Sequence, residues 1–337
     1  MADHTDIEWT DRTWNPVTGC AKVSPGCDHC YAEGIAERFR GGPAFPNGFD
    51  VQLRPHKLTE PLRWRKPSKV FANSMSDLFH DSVPDEYIAQ VFAVMVIAEH
   101  HTFQVLTKRH GRMRSLLSRN DFWRSVYLAA IDLGADDPAD VSTIAPPSNV
   151  WLGVSTENQQ WADIRIPALL DTPAAVRFVS AEPLLGPIEL EFVHYFDTDC
   201  NGCSGIISPA HEPACGNEPG RHWGIDWVIV GGESGPKARP MHPDWARSLR
   251  DQCAEAGVPF HFKQWGEWVP ESANLHAAKA AAAFLDLDGT VRPLVNGYPT
   301  TPPMSRGEAI TIRRVGKKRA GRVLDGRTWD QFPGGEA

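Results

Sequence analysis

Six stretches of the chain repeat one pattern of apolar and polar positions. KVFANSMSD, TFQVLTKR, NVWLGVSTEN, VRFVSAEP, DWVIVGGES and PFHFKQWG each begin β-branched and apolar and end in small, polar or charged residues. They start near positions 69, 102, 149, 176, 226 and 259, and helical patterns such as Asp85–His100 and His242–Ala256 lie between them. Near-continuous apolar strands alternating with helices predict a parallel sheet covered on both faces. The shorter spacings match a βαβ unit of about 30 residues, and the two longer ones carry insertions at 119–148 and 190–222. IEWTDRTWNP, from Ile7 to Pro16, supplies a further short strand and turn. The fold class is therefore α/β: a partial or complete β/α (TIM-like) barrel of about six to seven parallel strands. It occupies residues 1–266, with the insertion at 190–222 and a small C-terminal extension over 267–337. An open doubly wound sheet is the alternative. No G-x-G-x-x-G follows the first strand, which weakens its dinucleotide-binding version.

In a β/α barrel the residues just past the C-terminal strand ends build the active site. Here they include Ser74, Ser76 and Asp77; Thr107, Lys108 and Arg109; Ser155, Glu157 and Asn158. Further along come Ser180, Glu182, Gly231-Gly232-Glu233, Lys263 and Gln264. Loops are polar in any protein. A charged group at almost every strand end, directly after an apolar run, is the more specific pattern and favours a functional reading.

Composition narrows the classes. With 42% apolar residues and 12 tryptophans the chain can bury a substantial core, and 28 prolines with 28 glycines imply many loops. The net charge of −8 argues against coating nucleic acid wholesale, though not against a local basic groove. The longest apolar run, Val91–Ala98, falls far below the roughly 20 residues that span a bilayer. The start, MADHTDIEWTD, has no apolar signal-peptide core, so a cytoplasmic protein with no membrane partner is expected. Seven cysteines is an odd number, and six sit in two clusters; that suggests metal binding in a reducing compartment rather than a disulfide framework.

The first cluster lies in GCAKVSPGCDHCYAE, where Cys20, Cys27 and Cys30 are spaced Cys-x6-Cys-x2-Cys. The Cys27–Cys30 gap suits two thiolates on adjacent corners of a small inorganic centre, zinc or an iron–sulfur cube, and Pro25-Gly26 can turn Cys20 round to join them. A structural zinc site is closed by a fourth ligand, whereas three thiolates on a cluster leave one metal open to a small molecule. A zinc knuckle using His29 or a distant histidine stands as the alternative.

This stretch resembles the three-cysteine loop of radical S-adenosylmethionine (SAM) enzymes. More closely, the chain resembles an uncharacterised phage-associated family of that type, often encoded beside a partner gene. The usual spacing in radical SAM enzymes is Cys-x3-Cys-x2-Cys, with an aromatic ring before the third cysteine. Here His29 takes the ring position and the first gap is six residues. The resemblance covers residues 7–266 and implies a [4Fe–4S] cluster, SAM, and a protein partner encoded by a neighbouring gene. It also implies cofactor contacts at His29, Ser74, Ser76, Asp77, Ser155, Glu182 and Glu233. A Gly-Gly-Glu segment receives the SAM ammonium in such enzymes after the second strand; here it follows the fifth repeat, so Ser74, Ser76 and Asp77 are the nearer match. Asp77 has two plainer readings, as the cap of the helix after Pro84 or as a solvated carboxylate.

The second cluster, Cys200-x2-Cys203-x11-Cys215, resembles a small zinc ribbon, with His211 and His222 available as a fourth ligand. Cys253 sits on a helical pattern as a buried small hydrophobe. After Trp268 the repeat stops. ANLHAAKAAAAFL reads as helix or linker, and FLDLDGTVRPL as a hairpin around Asp288-Gly289. The segment TIRRVGKKRAGRVLDGR is the one strongly basic stretch: a solvated hairpin, or an arm for nucleic acid.

Three functions follow. The first is a radical SAM-like iron–sulfur enzyme acting on an unidentified substrate, with nucleotide or nucleic acid as candidates. The second is a zinc-binding scaffold or nucleic-acid-binding module. The third, a metal-dependent hydrolase, lacks any H-x-H or H-E-x-x-H cluster and ranks last.

Overall fold

The computed structural model describes residues 5–135, 147–190, 224–273, 281–295, 298–299 and 309–334. Seven parallel strands form the main sheet, and their order in the sheet is their order in the chain. They are β1 (Arg12–Trp14), β2 (Lys69–Ala72), β3 (Thr102–Thr107), β4 (Val150–Ser155), β5 (Val176–Ala181), β6 (Trp227–Gly231) and β7 (Phe260–Gln264). The six repeats and the short strand before the cysteine loop thus all become strands. Among the described residues, seven parallel strands in chain order match a partial β/α barrel.

The chain divides into two compact units, residues 1–155 with 165–178, and residues 156–164 with 179–337. In the first, β1 pairs in parallel with β2 through Arg12 opposite Val70, and Asp11 adds two bonds to Lys69 beyond the strand ends. Trp9 and Trp14 are fully buried behind this edge, Trp9 against Phe71 and Trp14 against Phe103. Helix α2 (Asp85–Ile97), which follows α1 (Tyr31–Arg38), opens with Asp85 and Glu86 at its positive end and is buried along most of its length. It packs against α4 (Asn120–Asp132), where Phe122 and Trp123 set their edges to Phe92; α3 (His110–Leu117) precedes α4. The expected insertion at 119–148 therefore begins with a core helix.

In the second unit β6 is buried at every residue and pairs in parallel with β7. Helix α6 (Pro243–Ala256), the next after α5 (Gln159–Leu170), has Asp244 in its first turn. It is capped by His242 Nδ1 and closed by Gly257 in the left-handed region at φ 67°. Cys253 is buried in it, and that burial pushes its thiol up to about 12. A second sheet follows, with strand order β8-β12-β9-β10-β11: β8 (Trp268–Pro270), β9 (Ala282–Leu285), β10 (Val291–Val295), β11 (Tyr298–Pro299) and β12 (Ile310–Arg314). The hairpin around Asp288-Gly289 is present. Ala282–Leu285, read from alanine content as helix or linker, is instead a strand between β10 and β12, with Ala283 and Leu285 buried against Ile312. Cross-strand pairing overrides the helical propensity of alanine there. No helix among the described residues is long and apolar enough to cross a membrane.

His80, His101 and His110 are all held below the ordinary imidazole range, first by burial. Depressed folded-state values mean that the unfolded chain takes up protons first. Their contribution to stability is complete above the free imidazole value of 6.5 and is lost as the pH falls below it. In urea denaturation the midpoint is expected to drop as the pH is lowered from about 7 to about 5.5. His101→Phe, at a site packed by Trp64 and Phe103, is expected to flatten that slope. A midpoint independent of pH in this window would contradict the assignment.

Candidate functional site

Three local constraints bring the cysteines together. Gly19 takes φ 86°, and a Cβ there would lie 2.1 Å from the Asp50 carbonyl oxygen, so only glycine lets the chain pass this close. The Gly19 amide donates to Met75 O (3.0 Å), in the loop after β2, and the Cys20 amide to Phe49 O (3.1 Å), before β2, so the start of the cysteine loop is held on both sides. Pro25–Cys27 then form a short 3₁₀ turn, and Cys30 immediately precedes α1 without a side-chain capping bond. From α1, Tyr31 reaches back with its hydroxyl to Ser74 O at 2.6 Å. Cys20, Cys27 and Cys30 are free thiols, half-buried, and all three line one cavity of about 150 Å³.

Besides residues of the cysteine loop and α1, the lining includes strand ends predicted for a barrel site: Ser74, Ser76 and Asp77 after β2, Thr107, Lys108 and Arg109 at the end of β3, and Ser155 at the end of β4. Of the expected contacts in this unit, only His29 stands apart from the lining; it is half-buried in the turn between Cys27 and Cys30. The lining holds three thiols, one carboxylate and, among the described residues, no imidazole.

That carboxylate, Asp77, is neither a helix cap nor solvated. Helix α2 is preceded by Pro84 with no side-chain cap, and Asp77 is only 6% exposed. Its Oδ1 accepts from the Phe79 amide (3.0 Å) and the Thr107 hydroxyl (2.7 Å). Its Oδ2 accepts from the Lys108 amide (3.0 Å) and lies 3.4 Å from Arg109 Nη1. Four donors from two strand ends occupy it. Arg109 in turn donates to Cys20 Sγ (3.3 Å) and Ala21 O (3.1 Å). Burial raises the Cys20 thiol above its ordinary value, Asp77 adds to the rise, and Arg109 opposes it.

Asn73, which sequence reasoning passed over, lines the same cavity and is 2% exposed. Its backbone is left-handed at φ 65°, a region that asparagine tolerates better than most residues. The Ser76 hydroxyl donates to Val17 O (2.8 Å), so it must accept from Asn73 Nδ2 (2.6 Å). That fixes the amide's orientation and leaves Asn73 Oδ1 a buried acceptor with no partner. The one sequence signal was its place: the first polar residue after an apolar run.

Glu182 and Glu233 belong to the second unit, where both are engaged. Glu182 pairs with Lys263 Nζ at 3.2 Å, and Gly231 leaves it room, since a Cβ there would come within 2.3 Å of Oε1. Glu233, 6% exposed, takes three hydrogen bonds from Arg239. At Gly232 a Cβ would lie 2.0 Å from Trp265 O. Gly-Gly-Glu is accounted for by close packing and an ion pair. Four arginines of the basic C-terminal stretch are likewise engaged within its unit: Arg313 with Glu271, Arg314 with the Gly235 and Pro236 carbonyls, Arg322 with Asp330, and Arg327 over the Trp329 ring. Cys200, Cys203, Cys215, His211 and His222 lie outside the described residues.

Fold and site together define an α/β protein with a three-thiol cavity at the C-terminal ends of its parallel strands. The chain matches the family described as "Protein of unknown function (DUF5131)" over residues 4–333, and it belongs to that family. Comparison with curated proteins and with solved structures gives no match.

If Asp77 is the knot of the two strand ends, Asp77→Asn is expected to lower stability by about 1–3 kcal/mol, because an amide cannot serve all four donors. Urea denaturation checks this. Unchanged stability would show that the four contacts carry no weight.

Proposed function

We propose that this protein is an iron–sulfur enzyme of the radical SAM type, with Cys20, Cys27 and Cys30 as ligands of a [4Fe–4S] cluster. The observation that carries the reading is the convergence of three free thiols and three polar strand ends on one cavity. The donor set suits a cluster better than zinc. A structural zinc site is closed by a fourth ligand, and among the described residues the lining offers no imidazole and one carboxylate that is already hydrogen-bonded. A cluster takes one thiolate per iron, and three thiolates leave one iron open. When bound with SAM, the cluster would supply the electron for reductive cleavage of a sulfonium carbon–sulfur bond.

The chain's own residues do the rest. Asn73 Oδ1 is the acceptor best suited to the SAM ammonium, and it takes over the part expected of Asp77, whose oxygens are occupied. Ser74, Ser76 and Ser155 give the cavity polar walls. The Lys108 ammonium makes no ion pair or hydrogen bond among the described residues, and its charge suits a phosphate-bearing substrate, a nucleotide or nucleic acid. At about 150 Å³ the cavity is smaller than typical ligand pockets of about 300–1,000 Å³, so both SAM and substrate would extend from its mouth.

Anaerobic reconstitution is expected to give close to four irons and four sulfides per chain at this site, and Cys20→Ala, Cys27→Ala or Cys30→Ala to remove them. Wild-type protein that takes up only zinc there would end the reading. With the cluster intact, Asn73→Gly, which suits the left-handed backbone, is expected to weaken SAM binding about tenfold. Equal affinity in a SAM titration would remove Asn73 from the site.

A further inference from the structure

The three thiols are not alike in their surroundings. Cys27 Sγ has the Ser24 hydroxyl at 3.9 Å, whereas Cys20 Sγ has a guanidinium N–H at 3.3 Å. Arg109 is fixed at both ends, by its backbone amide and by its guanidinium. The Arg109 amide donates to Thr107 Oγ1 (2.8 Å), whose hydroxyl donates to Asp77 Oδ1 (2.7 Å), while Asp77 Oδ2 faces Arg109 Nη1. Its two nitrogens bind consecutive residues of the cysteine loop, Cys20 Sγ through Nη1 and Ala21 O through Nη2. The side chain is 10% exposed, so bulk water screens it little.

We propose that Arg109 is a positioning residue that sets Cys20 in place as a ligand and raises the reduction potential of the cluster held there. This rests on the cluster reading above. The six-residue gap between Cys20 and Cys27 leaves the first cysteine on a longer tether, and the fork on residues 20 and 21 supplies the constraint that a short loop would supply by itself. Electrostatics gives the second effect. Adding an electron to an iron–sulfur cluster increases the negative charge on its thiolates, and a charged N–H donor on one sulfur stabilises that form more than the oxidised one. Asp77 offsets part of the positive charge but leaves the N–H bond to sulfur in place.

The test is a redox titration of anaerobically reconstituted full-length protein, followed by electron paramagnetic resonance, in wild type, Arg109→Gln and Arg109→Lys. Arg109→Gln is expected to shift the oxidised-to-reduced ratio at a given potential about tenfold toward the oxidised form, a fall of about 59 mV for a one-electron couple. Arg109→Lys keeps the charge without the fork and is expected to fall between the two. A folded Arg109→Gln protein with wild-type cluster content and wild-type potential overturns the proposal. Should Arg109→Gln fail to fold, Arg109→Lys decides: a lowered potential supports the proposal and an unchanged one overturns it. Wild-type protein that assembles no cluster overturns this proposal together with the reading beneath it, whereas an unchanged potential in the variants leaves that reading standing.

Discussion

The candidate site depends on the carboxylate of Asp77. Two parallel strand ends, after β2 and β3, present amides and hydroxyls that would otherwise be buried without acceptors, and Asp77 accepts from both ends. Buried polar groups left unpaired cost about 1–3 kcal/mol each, so the carboxylate is required by the fold before any ligand is considered. Because it also faces Arg109, the same group sets the charge beside Cys20. One residue thus couples sheet, loop and thiol.

This coupling explains why the cysteine spacing alone gave an incomplete picture. A six-residue gap looks too loose to present Cys20 reliably. In the fold the gap is closed from outside, by the Gly19 contact with Asp50, by the backbone bonds of Gly19 and Cys20 to Met75 and Phe49, and by Arg109. None of these partners is near in sequence, and periodicity carries no information about them.

The strands were legible because burial on both faces demands unbroken apolar runs, and that demand is written residue by residue. The polar residues at the ends of β2, β3 and β4 were legible as a group for the same reason: apolar runs end where the cavity begins. What could not be read was which polar groups were already taken. Asp77, Glu182 and Glu233 look alike as strand-end acids, yet each is committed to protein donors, while the less conspicuous Asn73 keeps a vacant acceptor. The alanines that open β9 gave no strand signal, because their partner β12 comes much later in the chain, whereas the hairpin of β9 with β10 was legible. Helix α4 fell in what looked like an insertion because the next strand begins some way beyond it.

The central claim is that the cysteine cavity holds a cluster with one iron open to SAM. Electron paramagnetic resonance of the reduced, reconstituted protein before and after addition of SAM addresses it directly. The account predicts a cluster signal whose g-values shift when SAM is added, because the small molecule joins the coordination of the open iron. A cluster signal that SAM leaves unchanged at saturating concentration would contradict it.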